Sequence, residues 1–220
     1  MPKIYNEGDS MAAIDLDART LAAALWTPAR VSPLLRGALL ALAGSLFVAL
    51  CAQITVPLWP VPVTGQTFAV LSVGLVCGWR IGGAALLLYL VEGAIGLPFF
   101  ALGKSGWATV IGPSGGYIWG FVLAAALVGW LAERGWDRSV PRTAAAMLLG
   151  NIVLYVPGLI WLAMFYAGPG QEYIAATGAT TAWGASIAAG LTPFLLGDFL
   201  KLLLAACLIP AAWALIKRRG

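Results

Sequence analysis

The C-terminal span of the chain decides the fold: residues 192–220 read TPFLLGDFLKLLLAACLIPAAWALIKRRG. From Leu191 to Ile216 every side chain is apolar, small or proline, except for Asp198 and Lys201. The stretch is long enough to cross the hydrocarbon core of a bilayer, which takes about 20 residues of helix. An ionised side chain at the bilayer centre costs about 2.5–3.5 kcal/mol even on a lenient scale, so this pair requires a reason.

The composition of the whole chain is that of a membrane protein. Hydrophobic residues make up 61% of the 220 residues and charged residues only 10%, whereas a soluble domain has roughly 25% charged residues. The chain contains no His, which excludes imidazole metal sites and catalysis by Ser–His or Cys–His pairs. The missing His argues against an enzyme, and we expect no bound metal and no cofactor in this chain.

Six apolar segments predict an all-α integral membrane protein with six transmembrane helices. The second segment is short, and only the turn WRIGG separates it from the third. The chain then divides into an N-terminal tail or interfacial helix (1–33), a six-helix transmembrane domain (34–216) and a basic tail (217–220). The predicted spans are approximately 34–54, 66–78, 81–97, 116–132, 144–166 and 191–216.

The basic residues predict that both termini are cytoplasmic. Of the 13 Lys and Arg residues, Lys201 lies within a span and only Lys104 falls on the outer side. All the others fall in the tails or in the loops on the other side, as the positive-inside rule requires. They are Lys3, Arg19, Arg30, Arg36, Arg80, Arg134, Arg138, Arg142, Lys217, Arg218 and Arg219.

The N-terminal region allows two interpretations. Residues 10–26 could form a helix with Met11, Ile14, Leu21 and Leu25 on one side, lying at the membrane interface. The same mixed, partly acidic sequence is equally compatible with a disordered tail. It lacks the basic start and the cleavage site of a secretory signal.

Polar side chains concentrate in the outer half of the predicted bundle. At 1.5 Å of rise per residue, Asp198 lies about 10 Å below the outer edge and Lys201 about 15 Å. Their i, i+3 spacing places both on one helix face. Asn151 and Tyr155 lie in the fifth span and Glu92 in the third. The Asp–Lys pair could simply neutralise itself, and Glu92 could pair within the bundle. Intramembrane ionisable groups also mark ligand or ion pathways, and this pair would suit a ligand with a urea or amide group.

The predicted outer loops could complete such a site. Residues 96–121 read GLPFFALGKSGWATVIGPSGGYIWGF, which is too apolar for a solvated loop and too rich in Gly and Pro for a continuous helix. A re-entrant or capping loop fits this composition. Its candidate ligand contacts are Gly103, Lys104, Trp107 and Tyr117, although its aromatic rings could equally be interfacial anchors. The first outer loop, 54–66, contains three prolines and is expected to be a stiff lid.

Gln53 borders that first outer loop and is a further candidate for ligand contact. Small residues recur every four positions in the first span, at Gly37, Ala41, Ser45 and Ala49. Such a face lets helices approach closely. It could pack inside this bundle or dock onto another membrane subunit.

Five motifs in this order resemble the BioY family, the biotin-binding S components of energy-coupling-factor (ECF) transporters. They are VPVTGQTFAVLSVGL, YLVEGAIGLPFFALGKSG, GPSGGYIWGF, LLGN and PFLLGDFLK, and they cover about residues 61–202. The resemblance implies a six-helix S-component fold in the cell membrane that binds biotin near its outer face. It implies as partners a transmembrane coupling (T) subunit and ABC-type ATPase subunits.

The resemblance also assigns roles to residues. Asp198 and Lys201 match the family pair that contacts the polar groups of biotin, and Asn151 matches an Asn of the fifth helix. The Gly-rich stretch 103–117 matches the loop that closes the site, and Gly37, Ala41, Ser45 and Ala49 would supply the docking face. The alternatives are a stand-alone carrier or channel that uses the Asp–Lys pair, and an intramembrane enzyme with Glu92 and Asp198 as acid and base.

Overall fold

The computed structural model describes residues 19–26 and 31–219, and most of them are helical. Two short strands, β1 (Thr55–Val56) and β2 (Val63–Thr64), pair in antiparallel register after the first long helix. The helices are α1 (Leu21–Leu25), α2 (Pro33–Gln53), α3 (Gln66–Cys77), α4 (Trp79–Ala94), α5 (Trp107–Val110), α6 (Gly115–Ala132), α7 (Val140–Ala167), α8 (Ala182–Gly190) and α9 (Leu195–Arg219).

Several of these helices are suited to a bilayer, which makes the chain a multi-pass membrane protein. Among the described residues, four stretches are long and apolar enough to cross: α2, α6, α7 and the joined α8–α9 segment Ala182–Arg218. The helix α3 is apolar but shorter. Six helices coincide with the six predicted spans to within a few residues at most ends, namely α2, α3, α4, α6, α7 and α9. The count of six crossings and the cytoplasmic position of both termini stay predictions.

Local signals explain where the helices begin. Pro33 occupies the first turn of α2, and the Ser32 side chain accepts a hydrogen bond from the backbone N–H of Leu35 at 3.2 Å. Both features favour a helix start. Gly78 separates α3 from α4 with a φ of +82°, a conformation that other residues rarely adopt. The Glu133 carboxylate then accepts the Trp79 N–H at 3.1 Å and caps α4.

The central helix is α6, which packs against α3, α4 and α7. Its approach to α3 is so close that a Cβ on Gly74 would lie 2.4 Å from the carbonyl oxygen of Ala125. Small residues at helix contacts allow this proximity. In membranes, close side-chain packing drives the association of helices, because the hydrophobic effect of water is absent there. Helix α2 lies against α3 and α4, and α9 lies against α7 and α3.

The small-residue stripe of α2 lies inside the bundle, so the docking interpretation is wrong for it. Ala41, Ser45 and Ala49 are all buried, and only Gly37 is partly exposed. The Ser45 hydroxyl donates to the Leu42 carbonyl within the same helix at 3.0 Å. These small side chains let α2 approach its own neighbours and leave no accessible stripe for a partner subunit.

The N-terminal helix packs on the bundle. Residues 1–18, and with them most of the predicted 10–26 helix, lie outside the described residues. The described part is α1, in which Leu21 is buried whereas Leu25 is 55% exposed. It contacts α3 and α9, and the Arg36 guanidinium donates to the Ala22 carbonyl at 3.1 Å. This part of the segment is therefore held by the protein.

The C-terminal apolar segment consists of two helices with a break between them, and the last predicted span covers only the break and most of the second helix. Helix α8 ends at Gly190, residues 192–194 form one turn of 3₁₀ helix, and α9 begins at Leu195. Pro193 lacks the N–H that would continue the helical hydrogen bonds. The predicted span of 191–216 therefore missed α8 and the break that places Phe194 toward the interior.

Candidate functional site

A cavity of about 290 Å³ opens at the predicted outer end of the bundle. This volume is close to the lower end of the range of about 300–1,000 Å³ for ligand pockets. The walls come from the β1–β2 loop, the start of α3, the connection between α4 and α6, and helices α6 and α7. Phe194, in the break before α9, closes one side.

A hydrogen-bonded network lies directly behind one wall of the cavity. The Lys201 ammonium donates to the Thr64 carbonyl at 2.7 Å, to the Thr67 hydroxyl at 2.9 Å and to Asp198 Oδ1 at 2.9 Å. The Thr67 hydroxyl in turn donates to Asp198 Oδ1 at 2.7 Å. Lys201 thus uses all three of its N–H donors. These hydrogen bonds replace hydration and stabilise the charged ammonium group within the predicted span.

The second oxygen of the same carboxylate is capped by a tyrosine. The Tyr155 hydroxyl donates to Asp198 Oδ2, and Tyr155 itself lines the cavity. Asp198 is only 5% exposed. Neither Asp198 nor Lys201 lines this cavity, whereas Thr64, Thr67 and Tyr155 do. The ion pair is therefore presented to a ligand through two hydroxyl groups and one backbone carbonyl.

A second chain of hydrogen bonds connects the cavity to the outer connection. Gln66, which lines the cavity, donates to the Tyr89 hydroxyl at 2.6 Å, and Tyr89 donates to the Phe99 carbonyl at 3.2 Å. The Thr64 hydroxyl donates to Gln66 Oε1 at 3.0 Å. The start of α3 thereby fixes the segment that carries Phe100, another residue of the cavity wall.

Three aromatic rings form an apolar wall next to the network. Tyr117, Tyr155 and Phe194 lie with ring centroids 6.1–6.5 Å apart. The Tyr117 hydroxyl donates to the Gly190 carbonyl at 2.8 Å. This bond ties α6 to the end of α8 and so holds the helix break that carries Phe194.

The mouth of the cavity carries the outer-loop cation. Lys104 lines the cavity and is exposed. Gln53 holds the segment before it: its Nε2 lies 3.3–3.5 Å from the carbonyl oxygens of residues 98–100. Its Oε1 accepts the Gly103 N–H at 3.1 Å. Gln53 positions the loop and does not line the cavity.

The structure brings together part of the predicted site. Lys104, Tyr117 and Tyr155 line the cavity, and Asp198 and Lys201 lie one layer behind it. The other predicted contacts do not reach it. Gly103 is exposed beside Lys104, and Trp107 is 59% exposed. Glu92, Asn151 and Gln53 also lie off the cavity wall.

Glu92 and Asn151 have distinct surroundings. One carboxylate oxygen of Glu92 is inaccessible and has no hydrogen-bond partner among the described residues, and the same holds for Asn151 Oδ1. Asn151 lines an apolar groove of about 410 Å³ between α7 and α9, together with Tyr155 and Asp198. Tyr155 therefore separates two spaces, the cavity on one side and this groove on the other.

Sequence reasoning missed Thr64, Thr67 and Phe194. Thr67 and Asp198 are 131 positions apart, so no local pattern could pair them. Pro193 was the available signal for Phe194, because it ends a helix within an apolar run. Among the described residues no group of three or more Cys, Asp or Glu side chains is placed to hold a metal ion.

Comparisons with known proteins agree with this architecture. The BioY family model matches residues 21–218. A protein of Pyrococcus horikoshii described as a probable biotin transporter BioY is 37% identical over 160 residues, which cover 71% of this chain and 85% of that protein. The biotin transporter BioY of Thermotoga maritima is 35% identical over 155 residues, 70% of this chain and 82% of that protein.

A solved structure shares the fold. The S-component for biotin from an ECF-type ABC transporter superposes with a TM-score of 0.67 at 22% sequence identity. The match covers 84% of this chain and 92% of that one. The all-α bundle described above is therefore the S-component fold.

Proposed function

The chain belongs to the BioY family, and on this premise we propose that it captures biotin as the S component of an ECF-type transporter. It binds its ligand from the outer side of the cell membrane and hydrolyses no nucleotide itself. It is a transporter subunit and not an enzyme. Uptake is driven by partner subunits, a transmembrane coupling subunit and ABC-type ATPases.

The observation that supports this most directly is the distribution of polar groups along the cavity. The inner wall presents the Thr67 and Tyr155 hydroxyls, backed by Asp198 and Lys201. The mouth presents one cation, Lys104. Biotin has a cyclic urea at one end and a carboxylate on a flexible chain at the other, so it fits with its ring system inward.

Each part of the ligand then meets a suitable group. The urea N–H groups are donors for the Asp198 end of the network, and the urea oxygen is an acceptor for the Thr67 hydroxyl or the Lys201 ammonium. The sulfur ring lies against the rings of Tyr117 and Phe194, which favour soft apolar contacts. The carboxylate reaches Lys104 near solvent. After binding, the loop held by Gln53 closes and the whole subunit reorients against the coupling subunit.

Binding of biotin and of biotinamide by wild type and a Lys104→Met variant tests this orientation. Biotinamide lacks the carboxylate charge but keeps the ring system. Because Lys104 is exposed, its ion pair contributes about 0.2–1 kcal/mol, so Lys104→Met weakens biotin binding up to about fivefold. Binding of biotinamide should not change.

Equal losses for both ligands would contradict the proposed orientation. Binding of neither ligand by well-folded wild-type chain would overturn the proposed function. A matched control is Lys217→Met, because Lys217 is exposed near the end of α9, far along the chain from the cavity residues. It should bind both ligands as the wild type does.

A further inference from the structure

The Asp198 carboxylate has no free oxygen in this structure. Oδ1 accepts hydrogen bonds from Lys201 and Thr67, and Oδ2 accepts one from Tyr155. The Tyr155 ring stands between this carboxylate and the cavity, because it lines the cavity while Asp198 does not. A ligand N–H can reach Oδ2 only after the tyrosine hydroxyl has moved.

Space for that movement exists on the other side of the ring. Tyr155 also borders the groove of about 410 Å³ between α7 and α9, whose other walls are almost entirely aliphatic. The ring forms edge-on pairs with Tyr117 and Phe194, which both line the cavity. A small rotation away from the cavity therefore moves the ring toward this groove.

The groove also contains an unused hydrogen-bonding group. Asn151 is 8% exposed, and its Oδ1 has no partner among the described residues. A buried amide oxygen without a hydrogen-bond partner destabilises the fold, so its presence requires an explanation. Asn151 precedes Tyr155 by four residues on the same helix face, and helical side chains lean toward the N-terminal turn. The Asn151 amide oxygen is therefore placed to accept a hydrogen bond from a displaced Tyr155 hydroxyl.

We propose that Tyr155 is a displaceable cap on Asp198 with two resting positions. In the free protein its hydroxyl donates to Asp198 Oδ2. A ligand that carries a planar N–H donor, as a urea or lactam does, takes over Oδ2, and the hydroxyl moves to the amide oxygen of Asn151. In the free state the Asn151 amide oxygen is unpaired, whereas after the move the carboxylate, the tyrosine hydroxyl and the amide oxygen each have a partner. This inference rests on the proposed function and adds a positioning role for Asn151, which does not touch the ligand.

The two-position cap makes opposite predictions for its two residues. Tyr155→Phe removes the competing donor, so biotin should bind more tightly than to the wild type. Asn151→Leu removes the second resting position and keeps a side chain of similar size, so the displaced hydroxyl stays unpaired and binding should weaken about fivefold or more. In the Tyr155→Phe background, Asn151→Leu should change the affinity by less than about twofold, because no hydroxyl needs the amide.

Calorimetric titration of biotin into the wild type, the two single variants and the double variant tests this coupling. The full chain in detergent is used, and its thermal unfolding is recorded to confirm that each variant folds. A tighter Tyr155→Phe variant together with the loss of the Asn151→Leu effect supports the cap. Equal losses from Asn151→Leu in both backgrounds would make Asn151 a direct ligand contact or a general structural residue and overturn it.

Weaker binding by Tyr155→Phe would make the hydroxyl a ligand contact and would also overturn the cap. Wild type that binds no biotin at all would instead overturn the proposed function. The wild-type titration thus separates failure of the function from failure of the cap.

Discussion

Removal of the Lys201 charge tests whether the Asp–Lys pair is a mutually dependent unit. Lys201→Met keeps most of the side-chain stem but removes three hydrogen bonds, to the Thr64 carbonyl, the Thr67 hydroxyl and Asp198. Asp198 keeps only hydroxyl partners and becomes an isolated charge at membrane depth. Loss of one partner from a fully buried ion pair costs about 3–5 kcal/mol.

The expected cost here is somewhat smaller, because the Lys201 side chain is 20% exposed whereas that of Asp198 is 6% exposed. We expect the free energy of unfolding to fall by about 2–4 kcal/mol. The double variant Asp198→Asn/Lys201→Met leaves no charge behind, so it should recover at least half of that loss. Both should bind biotin much more weakly than the wild type.

Unfolding of the purified chain in mixtures of mild detergent and SDS measures these differences. Helicity by circular dichroism serves as the signal, and Lys217→Met is the matched control for loss of a lysine charge. A Lys201→Met variant as stable as the wild type would refute the reasoning. So would a double variant less stable than the single one, because the cost would then come from something other than an unpaired charge.

Three further predictions concern the rest of the fold. Gly158→Ala should lower the free energy of unfolding by about 1–3 kcal/mol, since its Cβ would lie 2.5 Å from the Tyr117 ring; Gly83→Ala, with its nearest atom at 3.7 Å, should be tolerated in the same unfolding assay. Gln53→Leu should release the 98–103 loop, and stopped-flow measurements should then show biotin leaving several-fold faster, whereas an unchanged rate would contradict a role for Gln53 in holding the loop. Burial raises the pKa of Asp137 in the α6–α7 turn, despite its bonds to Trp213 and Arg138. A raised pKa means that the folded state favours the protonated carboxyl of Asp137. The stability that this protonated form contributes is present at acid pH and is lost as the pH rises through the folded-state pKa. Asp137→Asn should therefore flatten the dependence of the unfolding free energy on pH. An unchanged pH profile would contradict a raised pKa for Asp137.

The sequence predicted the long helices well because their signal is local. Apolar length and composition depend on neighbouring residues alone, and α2, α6 and α7 begin and end close to the predicted bounds. The shared face of Asp198 and Lys201 was likewise predictable from the i, i+3 spacing. Their salt bridge at 2.9 Å follows from that spacing.

The parts that could not be predicted depend on contacts between distant segments. The sequence does not say that Thr67 would bridge Asp198 and Lys201, or that Tyr155 would stand in front of the carboxylate. A stripe such as Ala41, Ser45 and Ala49 has the same spacing whether it faces its own bundle or a partner. Only the packing of α2 on α3 and α4 decides between the two.

Equilibrium binding of labelled biotin to the purified full chain tests the central claim most directly. We predict one saturable site per chain, competed by unlabelled biotin but not by vitamins that lack a cyclic urea. Asp198→Asn should weaken binding about 10- to 100-fold, because hydrogen bonds to a charged group contribute about 1.5–3 kcal/mol. A chain that shows no saturable binding, or a folded Asp198→Asn variant that binds biotin as the wild type does, would contradict the account.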